Sequence, residues 1–356
     1  MRVAIVAITG PGVQQARDLG NALPESTVYC PERYARPNDE QVFTAPVVEL
    51  LPELFAEYEG LICVMATGIV FRALAPFLRG KDVDPAVVVM DEKGQYAVSL
   101  LSGHLGGAND LARSAARASG GQAVITTATD VNRLPAWDDI ARKEGLRVEP
   151  IKNIRKLNSL LLDKQNIVLV DRCKRISEYF SGVPGVGFFE NIGEGMKVSA
   201  KGYVFVTHYN INQWQQRQDV LVLRPRDLVV GIGCNRDTTA DEIESVVQEE
   251  FSRLHLSQHS IACIATIDAK NDEAGLLQFA SRENLPIEFH SAAALNTIRV
   301  PSEPSPHARE AVGAQGVCEP AALLSAGCDR MLLGKQKRGN VTIAIAEKTV
   351  SIPDPL

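Results

Sequence analysis

Along this chain of 356 residues, short runs of β-branched and small apolar residues repeatedly end in polar or glycine-bearing turns and pass directly into helical periodicity. Val3–Ile8 leads into Thr9-Gly10-Pro11-Gly12 and a helical pattern through Gln15, Arg17 and Leu19. Leu61–Met65 leads into Ala66-Thr67-Gly68 and a helix expected over 69–78, and the run at 123–126 leads into Thr127-Ala128-Thr129-Asp130. The runs at 228–232 and 261–266 do the same through Gly233-Cys234-Asn235-Arg236 and the polar turn at 268–273. Strands that are apolar throughout are buried on both faces, as in a parallel sheet covered by helices on two sides. The pattern predicts an α/β fold: two α/β sandwich-type domains with mostly parallel sheets, at 1–138 and 227–356, joined by a smaller irregular middle domain at 139–226. In that middle region, apolar runs at 167–170, 204–206 and 220–223 are separated by Lys-, Arg- and Asn-rich segments and by a glycine-rich loop from Gly182.

One pair of strands departs from the parallel pattern. Ala86–Met90 and Tyr96–Leu101 flank Asp91-Glu92-Lys93-Gly94 and read as a hairpin. Its second strand delivers the segment SGHLGGAN, residues 102–109, which places His104 between Gly103 and the pair Gly106-Gly107 just before a helix. Glycine permits close approach to the main chain, and the first turn of a helix offers unpaired N–H groups, so an anionic ligand and an acid/base group are expected side by side. Open α/β sheets bind ligands outside the carboxyl ends of their strands. The turns at 66–68, 102–107 and 127–130 are therefore expected to converge on one rim, with Thr67 serving either as a helix cap or as part of that rim.

In the last domain, Thr239-Ala240-Asp241-Glu242 reads as a capping box, Ser305-Pro306 as a cap with a helical proline, and Glu319-Pro320 as a repeat of that device, closed by Gly327. The final strands are expected at 331–333 and 341–346 around a loop at 335–340.

The formal net charge of −6 gives no general attraction to nucleic acid or to acidic membranes, so an anionic ligand would need local cations. The apolar runs are strand-sized, too short to span a bilayer, and the first residues read as a buried strand, not a leader. Seven cysteines without a CxxC pair point to reduced thiols, and hence to a cytoplasmic protein. Gly10-x-Gly12-x-x-Gln15 lacks the third glycine of a dinucleotide fingerprint, which disfavours a nicotinamide enzyme. His255 and His259 have helical zinc spacing without the glutamate of HExxH. No GxSxG elbow supports a serine acyl-enzyme, although Ser102 is close to His104.

The run ATGIVFRALAPFLRGKDVDPAVVVMDEKGQYAVSLLSGHLGGANDLA with the following ITTATDV resembles the amino-terminal domain of the cobalamin-biosynthesis CbiG family. GIGCNRDTTADEI, ATIDAKNDEAGL, PSEPSPHAREAVGAQGVCEPAALLSAG and NVTIAIA resemble its carboxyl-terminal domain, in order. The resemblance implies a cobalt-precorrin-5A hydrolase of the anaerobic pathway, which opens the δ-lactone joining a ring A acetate to C20 and releases the C20 two-carbon unit as acetaldehyde. The cobalt belongs to the substrate, so no organic cofactor and no protein-bound metal is implied. Neighbouring pathway enzymes and a second copy of the chain are the other partners considered. The alternative is a non-catalytic protein that binds and delivers corrinoid intermediates.

Lactone opening requires a base for water, donors for the oxyanion, and proton transfer at C20 and the macrocycle. His104 is the first candidate for the base and Glu319 the second; Gly106 and Gly107 are the expected oxyanion donors. Substrate contacts are expected from Thr67, Gly68, Arg72, Ser102, Gly103 and Asn109 in the first domain. Cys234, Arg236, Lys270, Glu273 and Lys335 are expected to supply them in the last, with the cations there to hold the substrate's carboxylates.

Overall fold

The computed structural model describes residues 1–37, 41–81, 83–211, 214 and 216–348. The chain is α/β throughout and forms two compact units. The first comprises Met1–Lys143 with Asn158–Gln165 and Gly182–Pro184; the second comprises Glu144–Leu157, Asn166–Ser181 and Gly185–Leu356.

The first unit is built on one seven-stranded sheet with the order β3-β2-β1-β4-β5-β6-β7. These strands are β1 (Val3–Ala7), β2 (Ser26–Pro31), β3 (Gln41–Phe43), β4 (Gly60–Val64), β5 (Ala86–Met90), β6 (Tyr96–Leu101) and β7 (Gln122–Val124). Alternation along β1 explains the two layers. Val3, Ile5 and Ala7 pack with Val13, Ala16 and Leu19 of helix Gly10–Ala22 and with Leu111, Ala112 and Ala115 of helix Ala108–Ser119. Ala4 and Val6 pack on the other face with Leu51 and Leu54 of helix Val47–Glu57 and with Val70 and Leu74 of helix Thr67–Leu74. Each fully buried Val, Leu or Ile here contributes roughly 1.5–3 kcal/mol. The helix expected over 69–78 stops at Leu74 and tightens into a 3₁₀ turn at Ala75–Phe77, where Pro76 withholds an N–H.

The expected hairpin forms, with β5 and β6 antiparallel and Met90 opposite Ala97. All other neighbours in this sheet run parallel. The reversal overturns the expectation of a single rim: the end of β6 lies level with the start of β5 and hence of β4. The turns at 102–107 and 127–130 therefore share one edge of the sheet, and the turn at 66–68 lies at the other.

The region from 139 to 226, expected to be irregular, carries a five-stranded sheet with the order β10-β9-β11-β12-β8. The apolar runs supply β9 (Ile167–Asp171), β11 (Gly202–Val206) and β12 (Val220–Arg224); the added edges are the short β8 (Arg147–Glu149) and β10 (Val186–Phe189). The last sheet has the order β15-β14-β13-β17-β16, from β13 (Leu228–Cys234), β14 (Ile261–Ile267), β15 (Ile287–His290), β16 (Met331–Arg338) and β17 (Val341–Glu347). Thr239 caps helix Ala240–Arg253 by accepting the Glu242 N–H, and Ser305 caps helix Pro306–Val312. Among the described residues, no helix is long and apolar enough to cross a membrane.

Candidate active site

The segment after β6 turns sharply because Ser102 and Gly107 both take left-handed backbone angles, φ +56° and +85°. Gly106 is required by space: a Cβ there would stand 2.4 Å from the Cβ of Ser102. The turn closes on its own backbone. Ala108 N–H donates to the Ser102 carbonyl, Asn109 N–H to Gly103 and Gly107 N–H to His104. The expected oxyanion role of Gly107 is thereby corrected, because its N–H is already spent inside the turn.

His104 is held between two carboxylates. Nε2 lies 2.9 Å from Asp130 Oδ2 and Nδ1 lies 3.3 Å from Asp138 Oδ1, with 12% of the side chain exposed. Asp130 is fixed in turn by Thr127 Oγ1 at 2.6 Å, by Asn109 Nδ2 at 3.0 Å and by Arg113. Asn158 Nδ2 donates to Asp138 at 2.9 Å. Arg142 donates from Nε to the His104 carbonyl at 2.8 Å and bridges to Asp110 and Asp139. Asn109, expected to touch substrate, is instead buried: it accepts from Ser99 and donates to Thr127 and Asp130, so it positions the carboxylate.

Burial opposes a charge on His104, but the Asp138 and Asp130 carboxylates outweigh it and hold the imidazole up at about 9. Burial likewise works against the Asp130 charge, yet donation from Thr127, His104 and Arg113 brings it down to about 2. Asp138 is lowered too, its burial overcome by His104 and Asn158. A ring titrating near 9 is neutral in only ~1% of molecules at pH 7, so His104 is poorly placed as the base and well placed as a proton donor.

The same shifts predict a pH dependence of stability. The His104 contribution, roughly 3 kcal/mol, is fully present below its ordinary value of 6.5 and is lost as pH rises through about 9. The Asp130 contribution is present above 3.8 and is lost as pH falls through about 2. The melting-temperature advantage of the native protein over His104→Gln should thus shrink between pH 7 and 10. A constant difference would show that the ring is not charged.

Thr67, Gly68 and Arg72 do not join this cluster. They lie at the opposite sheet edge, where Thr67 is exposed and makes no capping bond. Arg72 is exposed beside Gly68 and has no ion-pair partner among the described residues.

In the second unit, Arg236 pairs with Asp272 at 2.6 Å, and Lys270 Nζ pairs with Glu273 Oε2 at 2.9 Å. Glu273 Oε1 also accepts the Asp237 N–H, so these expected ligands largely satisfy one another. Cys234 ends β13 half-buried, and burial pushes its thiol up. Glu319 lies inside helix Cys318–Ala326, not at its cap; it is 3% exposed and accepts the Lys335 N–H. Lys335 lies in β16, not in a loop. Helix Ala240–Arg253 ends before His255, and His259 instead pairs with Glu149, so the two histidines share no helix.

Sequence reasoning missed Asp138, Arg113 and Arg142. Their signal was faint: an acidic pair after Trp137, and arginines spaced as ordinary helix-surface residues.

Fold and cluster together define a three-sheet α/β protein with a carboxylate-bound imidazolium at a sheet edge. The descriptions Cobalamin synthesis G N-terminal, Cobalamin biosynthesis central region and Cobalamin synthesis G C-terminus match residues 49–130, 135–225 and 228–346. A cobalt-precorrin-5A hydrolase of Priestia megaterium is 37% identical over 352 residues, covering 96% of this chain and 94% of that protein. One from Salmonella typhimurium is 32% identical, covering 96% and 97%. The crystal structure of a putative cobalamin biosynthesis protein G homolog from Sulfolobus solfataricus is 22% identical, covers 98% of this chain and 97% of its own, and superposes with a TM-score of 0.38. The chain belongs to the cobalamin synthesis G family.

Proposed function

We infer that this protein is a cobalt-precorrin-5A hydrolase, which opens the δ-lactone of its cobalt tetrapyrrole substrate and releases the C20 two-carbon unit as acetaldehyde to leave cobalt-precorrin-5B. The observation that carries this reading is the end-to-end similarity to curated hydrolases of that name, 37% identical over 96% of the chain. It favours catalysis over a carrier. Cytoplasmic location, the absence of a resident organic cofactor and contact with neighbouring pathway enzymes complete the reading.

Within the chain, His104 is assigned the proton-donor half of the chemistry. Its positive charge suits an oxyanion or a developing alkoxide, which takes the place of Asp130 or Asp138 on one ring nitrogen to receive the proton while the other carboxylate keeps its bond to the ring. Arg113 and Arg142, 39% and 26% exposed beside it, pair with Asp110, Asp130 and Asp139, so a substrate carboxylate meets only the guanidinium N–H groups that these ion pairs leave over. The test is to supply purified protein with cobalt-precorrin-5A and measure acetaldehyde. Stoichiometric release is expected; substrate bound but unchanged would make the protein a carrier.

A further inference from the structure

The middle sheet has a crevice of its own. Parallel β9 and β11 end side by side at Asp171 and Val206, and the segments leaving them line a cavity of about 640 Å³ together with Asp227 and Glu347. Five carboxylates line it, among them Asp171, Asp227 and Glu347, against the guanidinium groups of Arg172 and Arg175. Such a lining repels a ligand rich in carboxylates and attracts a cation.

Three of its groups converge from distant parts of the sequence: His208 just beyond β11, Asp227 just before β13, and Glu347 at the end of β17. Nδ1 of His208 lies 3.3 Å from Asp227 Oδ1 and 3.8 Å from Glu347 Oε1. The shorter of these is a hydrogen bond at the long end of the range, and it is also close to the ~3.4 Å that separates two ligands held ~2.1 Å from one ion at a tetrahedral angle. Arg175 occupies the other oxygen of Asp227 at 2.7 Å, fixing the carboxylate while leaving Oδ1 toward His208. Arg175 is itself set by Asp171, which accepts the N–H groups of residues 175–177.

An independent observation concerns the ring. His208 is 6% exposed, and its Nε2 has no hydrogen-bond partner among the described residues. The ring is therefore held by polar groups on its Nδ1 side alone, where Asp227 and Glu347 both face it.

We propose that His208, Asp227 and Glu347 form a site for a divalent transition ion of the zinc class, with three protein ligands and a fourth position open to the cavity. Mixed imidazole and carboxylate donors suit that class better than magnesium or calcium. The ion would tie the last strand to the exit of the middle sheet, so binding should also stabilise the fold. This site belongs to the second unit, and its occupancy is independent of the hydrolase chemistry assigned to His104.

The test needs no tetrapyrrole. Full-length protein stripped with chelator is titrated with Zn²⁺ by calorimetry and with Co²⁺ by visible absorption. One ion per chain is expected, with an intense four-coordinate Co²⁺ band and a higher melting temperature in saturating Zn²⁺. Glu347→Gln, at a partly exposed position that should not impair folding, is expected to weaken binding about tenfold, and His208→Ala about a hundredfold. Absence of binding to the native protein, or variants that bind with native affinity and stoichiometry, would overturn the proposal.

Discussion

His104→Ala is expected to lower the turnover number for acetaldehyde release by about 10²–10⁴-fold, the usual range for loss of a positioned acid or base. The loss should fall on kcat more than on KM, because the ring is 12% exposed and its nearest charged neighbours, Asp130 and Asp138, would repel rather than bind a substrate carboxylate. The pH profile distinguishes an acid from a base. If the imidazolium donates, native activity is flat across neutrality and declines above about 9, where the ring loses its proton. If the neutral ring abstracts, activity climbs toward the same value. The variant must also lose that limb of the profile, since a purely structural histidine would lower the amount of folded protein without moving an inflection. Native turnover in His104→Ala would remove the ring from the reaction.

The strands were legible wherever burial on both faces made them continuously apolar, as in Val3–Ala7, Gly60–Val64 and Ala86–Met90. The short strands Arg147–Glu149 and Val186–Phe189 were not, because edge strands of three or four residues carry charges and glycine and show too few positions for a period. β16 was cut short for the same reason: its second half, Lys335–Arg338, is a charged and partly exposed edge. The hairpin itself was readable from Asp91–Gly94, yet its consequence is a property of the assembled sheet: one antiparallel pair sends the following turns to the opposite edge. His104 stood out among its glycines, but its role depends on partners 26 and 34 positions later, and isolated polar residues leave no periodic trace. The cluster of His208, Asp227 and Glu347 was invisible on the same ground.

Gly231→Ala should cost about 3 kcal/mol or more, which places the glycine of the GIGC segment in packing and not in ligand binding. Gly231 sits in β13 between Ala265 of β14 and Ala344 of β17. On that face the sheet carries helix Cys318–Ala326, whose Ala321 and Ala322 are completely buried against Val229 and Cys263. Small side chains on the helix and none on the strand let the two backbones meet. A Cβ at Gly231 would stand 1.8 Å from the Cys318 carbonyl oxygen and 2.9 Å from the Cβ of Ala322. No rotamer relieves a clash with a carbonyl, so the helix must lift by more than an ångström and forfeit dispersion contacts along its length. Overpacking of this kind costs about 1–3 kcal/mol where side chains can yield, and more where backbone must move. The same shift would disturb Glu319, whose carboxylate holds the Lys335 N–H from the adjoining turn of the helix. Gly316→Ala is the control: its Cβ would find only Pro320 Cδ at 3.9 Å, and a change within about 0.5 kcal/mol is expected. Urea unfolding followed by circular dichroism reads both, and equal midpoints for Gly231→Ala and the native protein would show that helix and strand are not in this close contact.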